Sequence, residues 1–111
     1  MISVYIVRRS PDRRIMRFSI EGHANFADRG KDIVCAGVSA VSVGAVNSVE
    51  ALAGVQLPAS MKDGWLSSDV PEEADADKDA KVQLLLESMV VMLDSIQQSY
   101  GRYVVIREQL L

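Results

Sequence analysis

The stretch from Asp32 to Gly54, DIVCAGVSAVSVGAVNSVEALAG, decides the fold. It opens on a good N-cap residue and ends on a glycine, and no charge interrupts it between Ile33 and Val49. It therefore reads as a buried α-helix running from Ile33 to about Ala53. The uncharged run is short for a bilayer span. It is also rich in small residues (Gly37, Ser39, Ala40, Ser42, Gly44, Ala45), which weaken helix propensity but let a sheet or another subunit come close. Such a helix needs an apolar surface to lie on.

The flanking segments supply it. Upstream, Ile2 to Arg8 alternates, with Ile2, Val4 and Ile6 on one side and Ser3, Tyr5 and Val7 on the other, the period of a strand. Ser10-Pro11-Asp12 ends it. Arg14 to Glu21 repeats the pattern, with Met16, Phe18 and Ile20 read as inward and Ile15, Arg17, Ser19 and Glu21 as outward, so the two segments predict an antiparallel hairpin. Gly22 and His23 then stand where a strand runs out. From Ala24 to Lys31 no periodicity remains, and Asn25, Asp28 and Gly30 predict an exposed loop with Gly30 as its hinge.

Downstream, Val55 to Met61 and Trp65 to Val70 flank Lys62-Asp63-Gly64, a strong hairpin signal, and Pro58 argues for an edge position. A second helix follows the acidic segment Pro71 to Asp77; Val82, Leu85, Leu86, Met89, Leu93, Ile96 and Tyr100 recur at three- and four-residue spacing. Gly101 stops it, and Tyr103 to Glu108 alternates as a last strand. The expected architecture is a single α+β domain over residues 1–111, in the order ββ-α-ββ-α-β, with a mostly antiparallel sheet packed with two helices.

Composition narrows the function. The 111 residues are 49% hydrophobic and 24% charged, enough apolar material for one core. The net charge is −3, the wrong sign for a domain that neutralises phosphates, so direct nucleic-acid binding is not expected. The N-terminal segment lacks the basic-then-apolar pattern of a signal peptide, and the expected location is the cytoplasm, away from membranes. A single cysteine leaves an internal disulfide, a CxxC pair and a cysteine-based zinc site without their parts. No metal or cofactor is expected; the acidic residues Glu72, Glu73, Asp75, Asp77 and Asp79 lack a calcium-loop pattern and suit a helix N-terminus instead.

Chemistry concentrates in one place. The chain has one histidine and one cysteine, and both border the same irregular loop: His23 at its start, Cys35 in the helix just beyond it. With Asp32 as N-cap, Cys35 falls in the first helical turn, where backbone N–H groups and the helix dipole favour a thiolate, and free N–H groups nearby suit an oxyanion. His23 offers a base. Asp32 either caps the helix or orients the imidazole, and Ser39, one turn beyond Cys35, either hydrogen-bonds near the site or is a small packing residue. Taken singly, Cys35 reads as an inert buried thiol and His23 as a surface loop residue; their joint placement is what suggests a nucleophile and its base.

Gly22-His23-Ala24, followed by Gly30-Lys31-Asp32-Ile33-Val34-Cys35-Ala36-Gly37-Val38-Ser39-Ala40, resembles the ribosomal-processing cysteine protease family Prp, also called YsxB-like. The resemblance extends to element order and length. It implies Cys35 as nucleophile, His23 as general base, and Asp32, Ser39, Gly22 and Gly30 as supporting residues. It further implies a homodimer and a peptide substrate, the N-terminal extension of a large-subunit ribosomal protein, cut after a hydrophobic, aromatic-rich sequence, with opening of the loop between His and Cys. Asn25 to Arg29 departs from the forms expected of the family.

Two other classes fit fewer features: a non-catalytic ribosome-associated binding module in which His23 and Cys35 are structural, and a thiol redox sensor, which has no resolving cysteine. Trp65 is expected to pack in the core. Leu84 and Val91 lie off the main apolar stripe of the second helix and suggest a subunit interface.

Overall fold

The computed structural model describes all 111 residues. Strands β1 (Ile2–Arg8) and β2 (Ile15–Glu21) lead to helix α1 (Ile33–Ala53); strands β3 (Ala59–Lys62) and β4 (Trp65–Asp69) lead to helix α2 (Ala76–Tyr100), and β5 (Val104–Leu110) closes the chain. The sheet order is β3-β4-β2-β1-β5. Every neighbouring pair is antiparallel except β1 and β5, which run parallel. Both helices cover one face of this sheet in an α+β domain, as the alternation of strands and helices predicts.

The core lies between sheet and helices. Val4, Ile6, Phe18, Ile20, Leu66 and Val104 face Val34, Val38, Val49, Leu86, Met89 and Leu93. Although α1 is long and apolar enough in composition to cross a membrane, it packs against α2 and the sheet through Val34, Val38, Ser42, Ala45, Val49 and Ala53. Gly54 ends it in the left-handed conformation, φ 69°, its N–H donating to the Glu50 carbonyl, the arrangement in which glycine escapes a Cβ penalty.

Three readings need correction. Ile15 is fully buried and Met16 exposed, the reverse of simple alternation along β2. The cause is a bulge between Val7 and Arg8: Val7 pairs with Arg17 but Arg8 pairs with Ile15, and one extra residue reverses which side chains face inward. Trp65 is outside the core; it is half-buried on the open face of β4, paired with Glu21 and Lys62, with the Lys62 ammonium 5.9 Å from its ring centroid. The third strand is also shorter than Val55 to Met61, because Pro58 delays its start to Ala59.

The acidic segment serves two ends at once. Asp75 caps α2, its side chain accepting from the Lys78 N–H, whereas Asp79 takes the guanidinium of buried Arg14 at 2.9 Å.

Candidate active site

Four local devices build the site. First, β2 ends at Glu21, and Gly22 turns the chain with φ 95°; a Cβ there would stand 2.5 Å from the Met1 carbonyl oxygen, so only glycine fits. The Gly22 N–H donates to the Gly64 carbonyl at 2.8 Å, and the Met1 amino group donates to the His23 carbonyl at 2.7 Å. The backbone of His23 is thereby held between the first strand and the β3–β4 turn.

Second, the residue after the histidine reaches the thiol. Ala24 is buried, and its N–H points at Cys35 Sγ, 3.2 Å away. Since two bonds separate the Ala24 nitrogen from the His23 Cα, that Cα lies within about 6 Å of the sulfur, inside the reach of its own imidazole. In this conformation the ring makes no hydrogen bond and rests on Gly64 instead: a Cβ on Gly64 would come 2.6 Å from His23 Nε2.

Third, Asp32 is fully engaged by backbone. Its Oδ1 accepts from Val34 and Cys35 N–H, each at 3.0 Å, and its Oδ2 accepts from Phe26 N–H at 2.9 Å and Ala27 N–H at 3.4 Å. One carboxylate caps α1 and also fastens the loop to the cap. The Cys35 N–H above all, then those of Phe26, Ala27 and Val34, hold the Asp32 carboxyl below its ordinary range, outweighing an opposing effect of desolvation. Two readings change as a result. Asp32 does not touch His23, and the N–H groups of Val34 and Cys35 are not free to receive an oxyanion.

Fourth, the loop is pinned at two further points. Phe26 meets Tyr100 and Tyr103 edge-on, with centroids 5.7 and 5.2 Å apart, and Arg29 pairs with Asp63 on the β3–β4 turn at 3.4 Å. Gly30 takes φ 84° with open space around it.

His23, Cys35, Asp32, Ser39, Gly22 and Gly30 all border one cavity of about 690 Å³. Ser39 faces it from α1 without a side-chain hydrogen bond. Gly64 escaped the sequence reading, in which Asp63-Gly64 signalled only a turn; its contact with His23 joins residues far apart in the chain, and no local pattern reports it.

A lone thiol in the first turn of a helix takes a backbone donor on its sulfur from the residue that follows the lone histidine, and thiol and histidine border one open cleft; comparison with known proteins makes the class definite: this is a cysteine protease. The family described as cysteine protease Prp matches residues 1–105, and the chain belongs to that family. The ribosomal processing cysteine protease Prp of Bacillus subtilis is 46% identical over 96 residues, which cover 85% of this chain and 86% of that protein. The protein of the same description from Staphylococcus aureus is 34% identical over 82 residues, 74% of this chain and 76% of that one. Among solved structures, an essential ribosomal processing protease Prp from S. aureus, in complex with a covalently linked product peptide, superposes with a TM-score of 0.88 at 28% identity, covering 98% of this chain and all of that one. The SMU.848 protein of Streptococcus mutans superposes with a TM-score of 0.84 at 29% identity, covering all of this chain and 96% of that one.

Proposed function

We propose that this protease removes the N-terminal extension of a large-subunit ribosomal protein, with Cys35 as nucleophile and His23 as general base. The observation that carries the reading is the Ala24 N–H on Cys35 Sγ, which brings the residue following the sole imidazole against the sole thiol.

The imidazole takes the thiol proton, and the sulfur attacks the carbonyl carbon of the scissile peptide. Charge moves to the carbonyl oxygen, and the Ala24 N–H, which donates to the sulfur at rest, is the donor assigned to follow it once the sulfur lone pair is spent on the new bond. The imidazolium then gives its proton to the leaving amine as the C–N bond breaks. Water, deprotonated by the imidazole, attacks the remaining thioester, releasing the acid and restoring the thiol. Asp32 acts through the backbone, setting the helix start and the loop. Gly22 and Gly30 permit the turns on either side of that loop, and Ser39 borders the substrate.

The names of the Bacillus and Staphylococcus relatives support the ribosomal substrate. Such a role suits a cytoplasmic enzyme. Leu84 and Val91, 70% and 66% exposed on α2, are apolar surface of the kind a homodimer covers.

The test is direct. The unprocessed ribosomal protein from the same genome is incubated with the wild type, Cys35→Ala and His23→Ala. Shortening by the wild type alone is the expected result; shortening by Cys35→Ala excludes the assignment.

A further inference from the structure

The cleft continues beyond the thiol. From Cys35, α1 runs along it through Ser39 to Val43, and on the other side stand Met61 and Lys62 of β3, with Ile20 and Leu66 between.

The strand register decides which backbone groups of β3 are already used. Successive residues of a strand direct their N–H and C=O to opposite edges. The bond from Gly22 N–H to Gly64 C=O, continued by the pairing of Ile20 with Leu66, turns Gly64 and Leu66 toward β2. Trp65 and Ser67 therefore turn toward β3, where they meet Lys62 and Ser60. It follows that Met61, between those two, directs its N–H and C=O away from the sheet. Strand β3 is the end of the sheet order, so no strand of this chain answers them. Met61 is 55% exposed as a residue, although its register with Leu66 puts its side chain on the helix-covered face. An unpaired edge with an apolar side chain, continuous with the reacting groups, is unusual in a fold that otherwise keeps this edge to four residues behind a proline.

The geometry points to docking of the substrate as an added strand: the peptide lies extended along β3, its main chain bonds to the N–H and C=O of Met61, and an apolar side chain enters the groove between Met61 and α1. Main-chain pairing holds an extended peptide, and the groove selects among side chains. The inference rests on the peptidase reading above and adds how the chain is held.

Binding is measured on Cys35→Ala, which separates docking from turnover, using a fluorescein-labelled peptide that spans the junction of the ribosomal extension. Met61→Pro removes the edge N–H at a position where an edge strand tolerates proline. Met61→Ala keeps the N–H and truncates the side chain. The expected result is that Met61→Pro binds about fivefold more weakly than Met61→Ala, the worth of one net hydrogen bond; equal binding by the two overturns the proposal. Should Met61→Pro fail to fold, peptides with an ester replacing each amide in turn decide the matter. Weakening at alternate positions is expected, and a flat profile overturns strand docking. Processing by Cys35→Ala, in contrast, would refute the nucleophile and leave the docking result standing.

Discussion

The two ends of the sheet treat charge in opposite ways. At the end where β1 finishes, Arg8 is buried and grips Glu87 with both terminal nitrogens at 2.8 and 2.7 Å while also reaching Glu108; Arg14 is buried on Asp79, and Arg9 joins Asp12 and Glu72. At the cleft end, the His23 imidazole has no partner, the Cys35 sulfur has only a backbone N–H, and the one well-placed carboxylate, Asp32, is occupied by four backbone amides. One end consumes its charged groups to lock α2 to the sheet. The other leaves imidazole and thiol without side-chain partners and places them through backbone contacts, and under the roles proposed for Cys35 and His23 that division is expected to separate substitutions that unfold the protein from substitutions that silence it.

The sharpest way to break this contrast is to remove the reactive groups. Cys35→Ala and His23→Ala are each expected to lower kcat/KM by roughly a thousandfold or more, while urea unfolding shifts by less than about 1 kcal/mol. A large loss of stability in both would make the pair part of the scaffold.

A smaller effect isolates the resting place of the imidazole. Gly54 and Gly64 both have positive φ, but a Cβ on Gly54 meets nothing whereas one on Gly64 strikes the His23 ring. Alanine at either site is expected to cost about 1 kcal/mol of stability through backbone strain. Only Gly64→Ala is expected to lower kcat, roughly tenfold, by displacing the ring. Equal kcat values would mean that contact with Gly64 does not position the base.

Next comes acid. The Asp32 carboxyl is held below its ordinary value of about 3.9, so its contribution to stability is complete above that value and is lost as pH falls through its lower folded value. Hydrogen exchange at the Phe26 and Ala27 amides, corrected for intrinsic rates, is expected to lose protection in that acidic window. Asp32→Ala is expected to abolish the pH dependence and to destabilise the fold through loss of the cap. Unchanged protection in the variant would contradict the double clamp.

The smallest expected effect on activity is at the far end. Arg8→Leu is expected to destabilise the fold by about 1–3 kcal/mol and leave kcat/KM of the folded protein within a factor of two or so. A large kinetic loss would show that the two ends communicate.

The element order was readable from periodicity, because alternation in Ile2 to Arg8 and helical spacing in Val82 to Tyr100 are local signals. The cap at Asp32 and the stop at Gly54 were readable for the same reason. What stayed hidden is non-local. The bulge opposite Val7 and Arg8 is a relation between two strands, and it turned Ile15 inward and Met16 outward. The second job of Asp32 depends on a loop with no periodicity folding back onto the cap. Gly64 looked like any turn glycine until the turn was seen to lie on His23, and Trp65 looked like core until its register with Lys62 put it on the open face.

Stepwise alkylation tests the central claim most directly, since Cys35 is the only thiol in the chain. Samples modified by iodoacetamide to graded extents are weighed by intact-mass spectrometry and assayed on the junction peptide. The account predicts that peptidase activity falls in proportion to modified Cys35 and reaches zero at one group per chain. Activity that persists in fully modified protein would contradict it.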